Sequence, residues 1–107
     1  MQIEELNNFI VLFDIYGKLL SKKQFELMNE FLNFNISETE LAEMFGGSRQ
    51  SVHDAISKAK KQLIEFETSC GVLKSRQQTQ QKLQNLKAIL TKDTEAYVLI
   101  EDIIDNL

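Results

Sequence analysis

The chain has 107 residues, 43% of them hydrophobic, with a formal net charge of −4 and one cysteine. That suffices for a modest core needing neither metal nor disulfide, and the acidic balance argues against a strong nucleic-acid binder. No apolar run approaches a membrane span, and the acidic, polar start MQIEELNN is unlike a signal peptide, so a cytoplasmic protein is expected.

Proline is absent, helix formers dominate and strand-like alternation is missing, so the expected fold class is all-α with about six helices. Leu6, Phe9, Ile10, Phe13, Tyr16 and Leu20 recur at helical spacing and predict a first helix over Ile3–Leu20, with Gly17 a tolerated weak point. Ser21 and Gln24 form a capping box that opens a second helix to about Phe34, burying Phe25, Met28, Phe31 and Leu32. Residues 33–35 read as a loop. Ser37 and Glu40 then form a second capping box.

The stretch that organises the rest is ETELAEMFGGSRQSVHDAIS, residues 38–57. Leu41, Ala42 and Phe45 share one helix face. Val52, Ile56 and Ala59 share another, extended by Leu63 and Phe66. Gly46 and Gly47 supply a break where positive φ is cheap, and Ser48 stands where a hydroxyl would cap the next helix. Such a pattern predicts a helix-turn-helix, whose second helix is normally presented to the DNA major groove. A tight corner between two helices without DNA binding would carry the same residues.

Gly71 predicts the end of a long motif helix running about Arg49–Ser69. All seven phenylalanines lie at or before Phe66, so the aromatic core belongs to the first two thirds of the chain. Lys74–Lys82 is polar throughout, and its glutamine run reads as a solvated helix face rather than low complexity. Leu83, Leu86, Ile89 and Leu90 resume the apolar spacing. A last helix near Asp93–Asn106 carries Tyr97, Ile100, Ile103 and Ile104. The two form a helical hairpin. The expected organisation is a helix-turn-helix domain over 1–71 and a hairpin over 72–107, within one structural unit. With Val98 and Leu99 added, the last helix is apolar on several sides. Tyr97, Leu99, Ile100, Ile103 and Ile104 are thus candidates for a homodimer or partner face, against the alternative that they cap the core.

Charge is uneven. Residues 1–45 carry three lysines against eight acids, whereas 46–66 carry Arg49, Lys58, Lys60 and Lys61 against Asp54 and Glu65. The motif helix is the basic region of an acidic body. With Val52 pointing inward, Gln50, Asp54, Ser57 and Lys61 point outward, and Arg49 and His53 lie on a flank. The candidate nucleic-acid contacts are Ser48, Arg49, Gln50, His53, Asp54, Ser57, Lys58 and Lys61. Gln50 could bond adenine edges, and Arg49 or Lys61 could hold phosphates. Asp54 would repel phosphate unless it accepts from a cytosine amine. Against this stands the reading of a plain solvated helix face.

Enzyme readings lack their parts. Gly46–Gly47 has neither a following Gly-Lys nor a preceding strand, and His53 has no partner at a recognisable spacing. No cofactor or metal site is expected, and Cys70 reads as an ordinary reduced thiol.

LFDIYGKLLSKKQ (Leu12–Gln24) followed by LAEMFGGSRQSVHDAI (Leu41–Ile56) resembles the YlxM family. These are small helix-turn-helix proteins of Gram-positive bacteria and mycoplasmas, similar in this part to the fourth region of sigma factors. The resemblance covers about Asn7–Leu73; the hairpin matches only in helical character. Family members are typically encoded beside the signal recognition particle GTPase, which implies a regulatory role in that targeting pathway. The chain departs from the pattern at Gly47, where such motifs usually place a Val packed between the two helices. Two functions fit: a nucleic-acid-binding regulator acting through Arg49–Lys61 on DNA or RNA, or a protein-interaction module that regulates the targeting GTPase.

Overall fold

In the computed structural model, which describes residues 2–92 and 94–107, every regular element among the described residues is helical. In order these are α1 (Ile3–Tyr16), a 3-10 turn (Gly17–Leu19), α2 (Lys22–Asn33), α3 (Glu38–Phe45), α4 (Arg49–Cys70), α5 (Val72–Ala88) and α6 (Glu95–Asp105). The chain divides into two units, Met1–Cys70 and Gly71–Leu107.

The first unit is built on α4. Its stripe of Val52, Ile56, Ala59 and Leu63 is buried, as the spacing predicts, and packs with Phe9, Leu12, Phe13 and Tyr16 of α1, Leu27, Met28 and Leu32 of α2, and Leu41 of α3. Met28, Leu41 and Leu63 are the largest side chains fully withdrawn from solvent. Truncating any of them to Ala would cost about 2–5 kcal/mol in lost transfer energy and residual cavity.

α1 stops four residues short of the expected Leu20. The backbone leaves α-helical geometry at Tyr16, with φ of −112° and ψ of −3°, and Gly17 follows it bare, where a Cβ would sit 3.0 Å from the Phe13 ring and 3.3 Å from that of Phe25. Those two rings meet at 5.0 Å between centroids, and the bare glycine is what admits them. The chain tightens into the 3-10 turn, extends at Leu20 and enters α2 through Ser21. Ser21 Oγ accepts from the Gln24 amide at 3.2 Å, and Gln24 Oε1 accepts from the Ser21 amide at 3.1 Å.

The buried stripes of α1 and α2 are rotated from the expected ones. Leu12 and Leu27 are buried, while Leu6, Ile10, Phe25 and Phe31 are only half-buried. Lys60 accounts for Phe31: its ammonium lies 5.5 Å from that ring's centroid and 5.1 Å from the Phe9 centroid. The lysine thus covers an aromatic edge that would otherwise need apolar neighbours. Tyr16, buried at 3% exposure, stacks obliquely on Phe66 at 6.1 Å and donates its hydroxyl to Glu67 Oε1 at 2.6 Å.

In the second unit α5 is longer than the apolar spacing suggests. The polar run is helical and exposed, and the helix starts directly after Gly71, whose φ of 63° turns the backbone out of α4. α6 begins at Glu95, capped by Thr94 Oγ1 accepting from the Tyr97 amide at 3.2 Å. The expected start at Asp93 lies outside the described residues. Lys87 ties the hairpin, its ammonium 5.2 Å from the Tyr97 ring centroid and 3.8 Å from Glu101 Oε1. Of the residues expected to face a partner, Leu99 and Ile103 are exposed, and Tyr97 and Ile104 are half-buried. Ile100 is buried at 7% exposure. Among the described residues no helix is long and apolar enough to cross a membrane.

Candidate nucleic-acid interface

The turn between α3 and α4 is made by backbone conformation. Gly46 and Gly47 take φ of 82° and 89°, a region L side chains rarely adopt. A Cβ on Gly47 would also come 2.8 Å from Ser51 Oγ. The glycine that departs from the usual Val is therefore what this turn's path requires. α3 opens with Ser37 Oγ accepting from the Glu40 amide at 3.2 Å. The reciprocal bond from the Glu40 carboxylate, expected from the box, is not made.

α4 opens with a tighter arrangement than its sequence suggested. Ser48 Oγ accepts from the Ser51 amide at 3.0 Å, Ser51 Oγ accepts from the Ser48 amide at 3.0 Å, and Ser51 donates its hydroxyl to the Ser48 carbonyl at 2.8 Å. Ser51 plays the part that Glu or Gln plays in the usual capping box. A serine at that position is not the usual partner, so spacing alone does not reveal the box. Ser48 Oγ thereby caps α4 as an acceptor, which fixes the start of the helix.

The eight candidate residues Ser48, Arg49, Gln50, His53, Asp54, Ser57, Lys58 and Lys61 are all exposed and all lie along one side of α4 or at its start. Gln50 donates its side-chain amide to Asp54 Oδ1 at 2.9 Å, so the carboxylate on the outward stripe is partly occupied by its neighbour. Gln50 keeps a second amide hydrogen and its carbonyl oxygen for an external partner. His53 Nδ1 lies 3.0 and 3.1 Å from the two carboxylate oxygens of Glu38, an acceptor-only group when ionised, so the imidazole donates. That bond joins the flank of α4 to the first turn of α3. Arg49, Gln50, His53 and Glu38 line one shallow depression there.

On the opposite flank α4 meets α2. A groove between them is rimmed by Lys23 and Gln24 of α2 and by Lys58 and Gln62 of α4, over Leu27 and Ala55. Lys23 escaped the sequence reading because it belongs to the acidic part of the chain by position and to the basic helix only by folding. Lys60, counted with the basic stretch, is turned onto Phe9 and Phe31. Among the described residues no three His, Cys, Asp or Glu side chains cluster to hold a metal ion.

A model of a family described as helix-turn-helix proteins, YlxM / p13 like, matches residues 3–103. A UPF0122 protein of Listeria welshimeri is 33% identical over 104 residues, covering 97% of this chain and 94% of the relative. One from Clostridium botulinum is 28% identical over 109 residues, covering 98% and 100%. One from Acetivibrio thermocellus is 38% identical over 93 residues, covering 86% and 79%.

Proposed function

The chain belongs to the YlxM / p13 like family of helix-turn-helix proteins, and from that premise we propose that it is a cytoplasmic regulatory protein that presents α4 to duplex DNA. The observation that carries this is the outward side of α4, where Arg49, Gln50, Ser57, Lys58 and Lys61 stand exposed beyond a turn held by two positive-φ glycines. The major groove of B-form DNA admits an α-helix, whereas that of A-form RNA is too narrow to be read. In this reading Gln50 addresses a base edge, Arg49, Lys58 and Lys61 hold phosphates, and Ser48 fixes the start of the helix. Asp54 orients Gln50 and limits non-specific affinity.

Three exposed cations on α4 bound the affinity. Log K should fall against log salt with a slope of roughly −2 to −3, about −0.9 for each phosphate contacted. Fluorescence anisotropy of a labelled duplex across a salt series measures it. Nanomolar binding to random duplex at physiological salt would contradict the estimate. A lack of binding even at low salt would contradict the reading itself.

A second reading, a protein-interaction module acting on the targeting GTPase, is favoured by α6. Val98, Leu99 and Ile103 are exposed there at 61%, 56% and 49%. An apolar face of this kind suits a homodimer or a protein partner. It is compatible with DNA binding, since a two-fold pair would carry two copies of α4.

A further inference from the structure

The groove between α2 and α4 draws a lysine from each of its walls. The chain carries 16 acids against 12 bases. Yet among the described residues the groove's lining includes two lysines and two glutamines and no carboxylate. Gln24 spends its side-chain oxygen on the Ser21 amide, which leaves its NH2 as the group available to an occupant. Lys23 and Lys58 are both exposed, one from each wall. Cationic ends, amide donors and no opposing charge describe a site for an anion.

From this geometry we infer that Lys23 and Lys58 form a phosphodiester site, in which the α2–α4 groove takes the backbone of the duplex that α4 enters. The inference rests on the DNA-binding reading above. It extends the interface to a helix outside the motif. With α4 seated in the major groove, the flank bearing Arg49 and His53 faces α3 and the flank bearing Lys58 faces α2. The backbone on the α2 side would then meet Lys23 and Lys58, and the one on the α3 side Arg49, which stands beside the Glu38 carboxylate. Asp54, one turn before Lys58, does not line the site, and its Oδ1 accepts from Gln50. Leu27 and Ala55 beneath the rim suit the apolar edges of a sugar rather than a second charge.

The test is anisotropy of the full chain on duplex DNA at a series of salt concentrations, with single-stranded RNA as a parallel arm. The proteins are wild type, Lys23→Ala, Lys58→Ala, the double variant and Lys82→Ala, with circular dichroism melts for folding. Each lost phosphate contact should flatten the log–log slope by about 0.9, so the double variant should lose about 1.8 on duplex. Put differently, a fourfold rise in salt should weaken each single variant about 3.5-fold less than wild type. Lys82→Ala should leave the slope unchanged. A salt-dependent wild type whose slope survives the loss of Lys23 would overturn this site while leaving α4 as the reader. So would an equal flattening in Lys82→Ala, or an effect of Lys23 and Lys58 on RNA alone. A wild type that binds no duplex at any salt would overturn the DNA reading and the groove with it.

Discussion

At Gly47 the backbone passes through φ of 89° with Ser51 Oγ only 2.8 Å from where a Cβ would stand. Gly47→Val, although it restores the residue usual in such turns, should therefore destabilise this protein by roughly 1–3 kcal/mol through backbone strain. Urea denaturation reads the shift, and a variant as stable as wild type would show that the turn can take another path. Ser48→Ala should cost about 1 kcal/mol, because the Ser51 amide loses its acceptor at the start of α4. Val52 is 4% exposed, so Val52→Asp should cost on the order of 4 kcal/mol, the penalty of an unpaired charge in the core. At this scale the sequence is legible wherever a residue's role is local. Ser21, Ser37 and Ser48 cap their helices as their spacing predicts. Lys60 was not legible, because its task is set by Phe9 and Phe31, which are far away in the chain.

α4 serves both the core and the surface, and its two sides separate cleanly. The buried stripe from Val52 to Leu63 follows from helical periodicity alone, and so does the exposed side. Asp54 gives this element its sharpest test. Asp54→Lys removes a repulsive carboxylate and adds a cation on the outward side, so non-specific duplex affinity should rise and the salt slope steepen by about 0.9. Unchanged affinity would favour the protein-interaction reading, with α4 kept as scaffold. What Gly17 does beside α1 was not legible, since propensity marks it only as a weak point in a helix. Its effect comes from the packing of Phe13 on Phe25, a contact between two helices. The groove shared by α2 and α4 was hidden for the same reason: Lys23 and Lys58 are 35 positions apart and meet only in the fold.

For the whole molecule, an acidic chain carries its exposed cations of the motif on one helix, with Lys23 of α2 beside it. That distribution limits affinity and makes it dependent on salt. The exposed apolar residues of α6 lead to a prediction about assembly. Sedimentation at micromolar concentration should give a homodimer, and Leu99→Asp with Ile103→Asp should give a folded monomer, since both side chains are exposed. A monomeric wild type would exclude that assembly. The central claim is that α4 is the surface offered to DNA. Nitrogen-15 NMR of the full chain, titrated at low salt with unlabelled duplex, tests it most directly. The amides of Arg49–Lys61 should shift progressively, joined by Lys23 if the groove takes the backbone, while those of Glu95–Asp105 stay in place. Shifts confined to Glu95–Asp105, or no shifts at all, would contradict it.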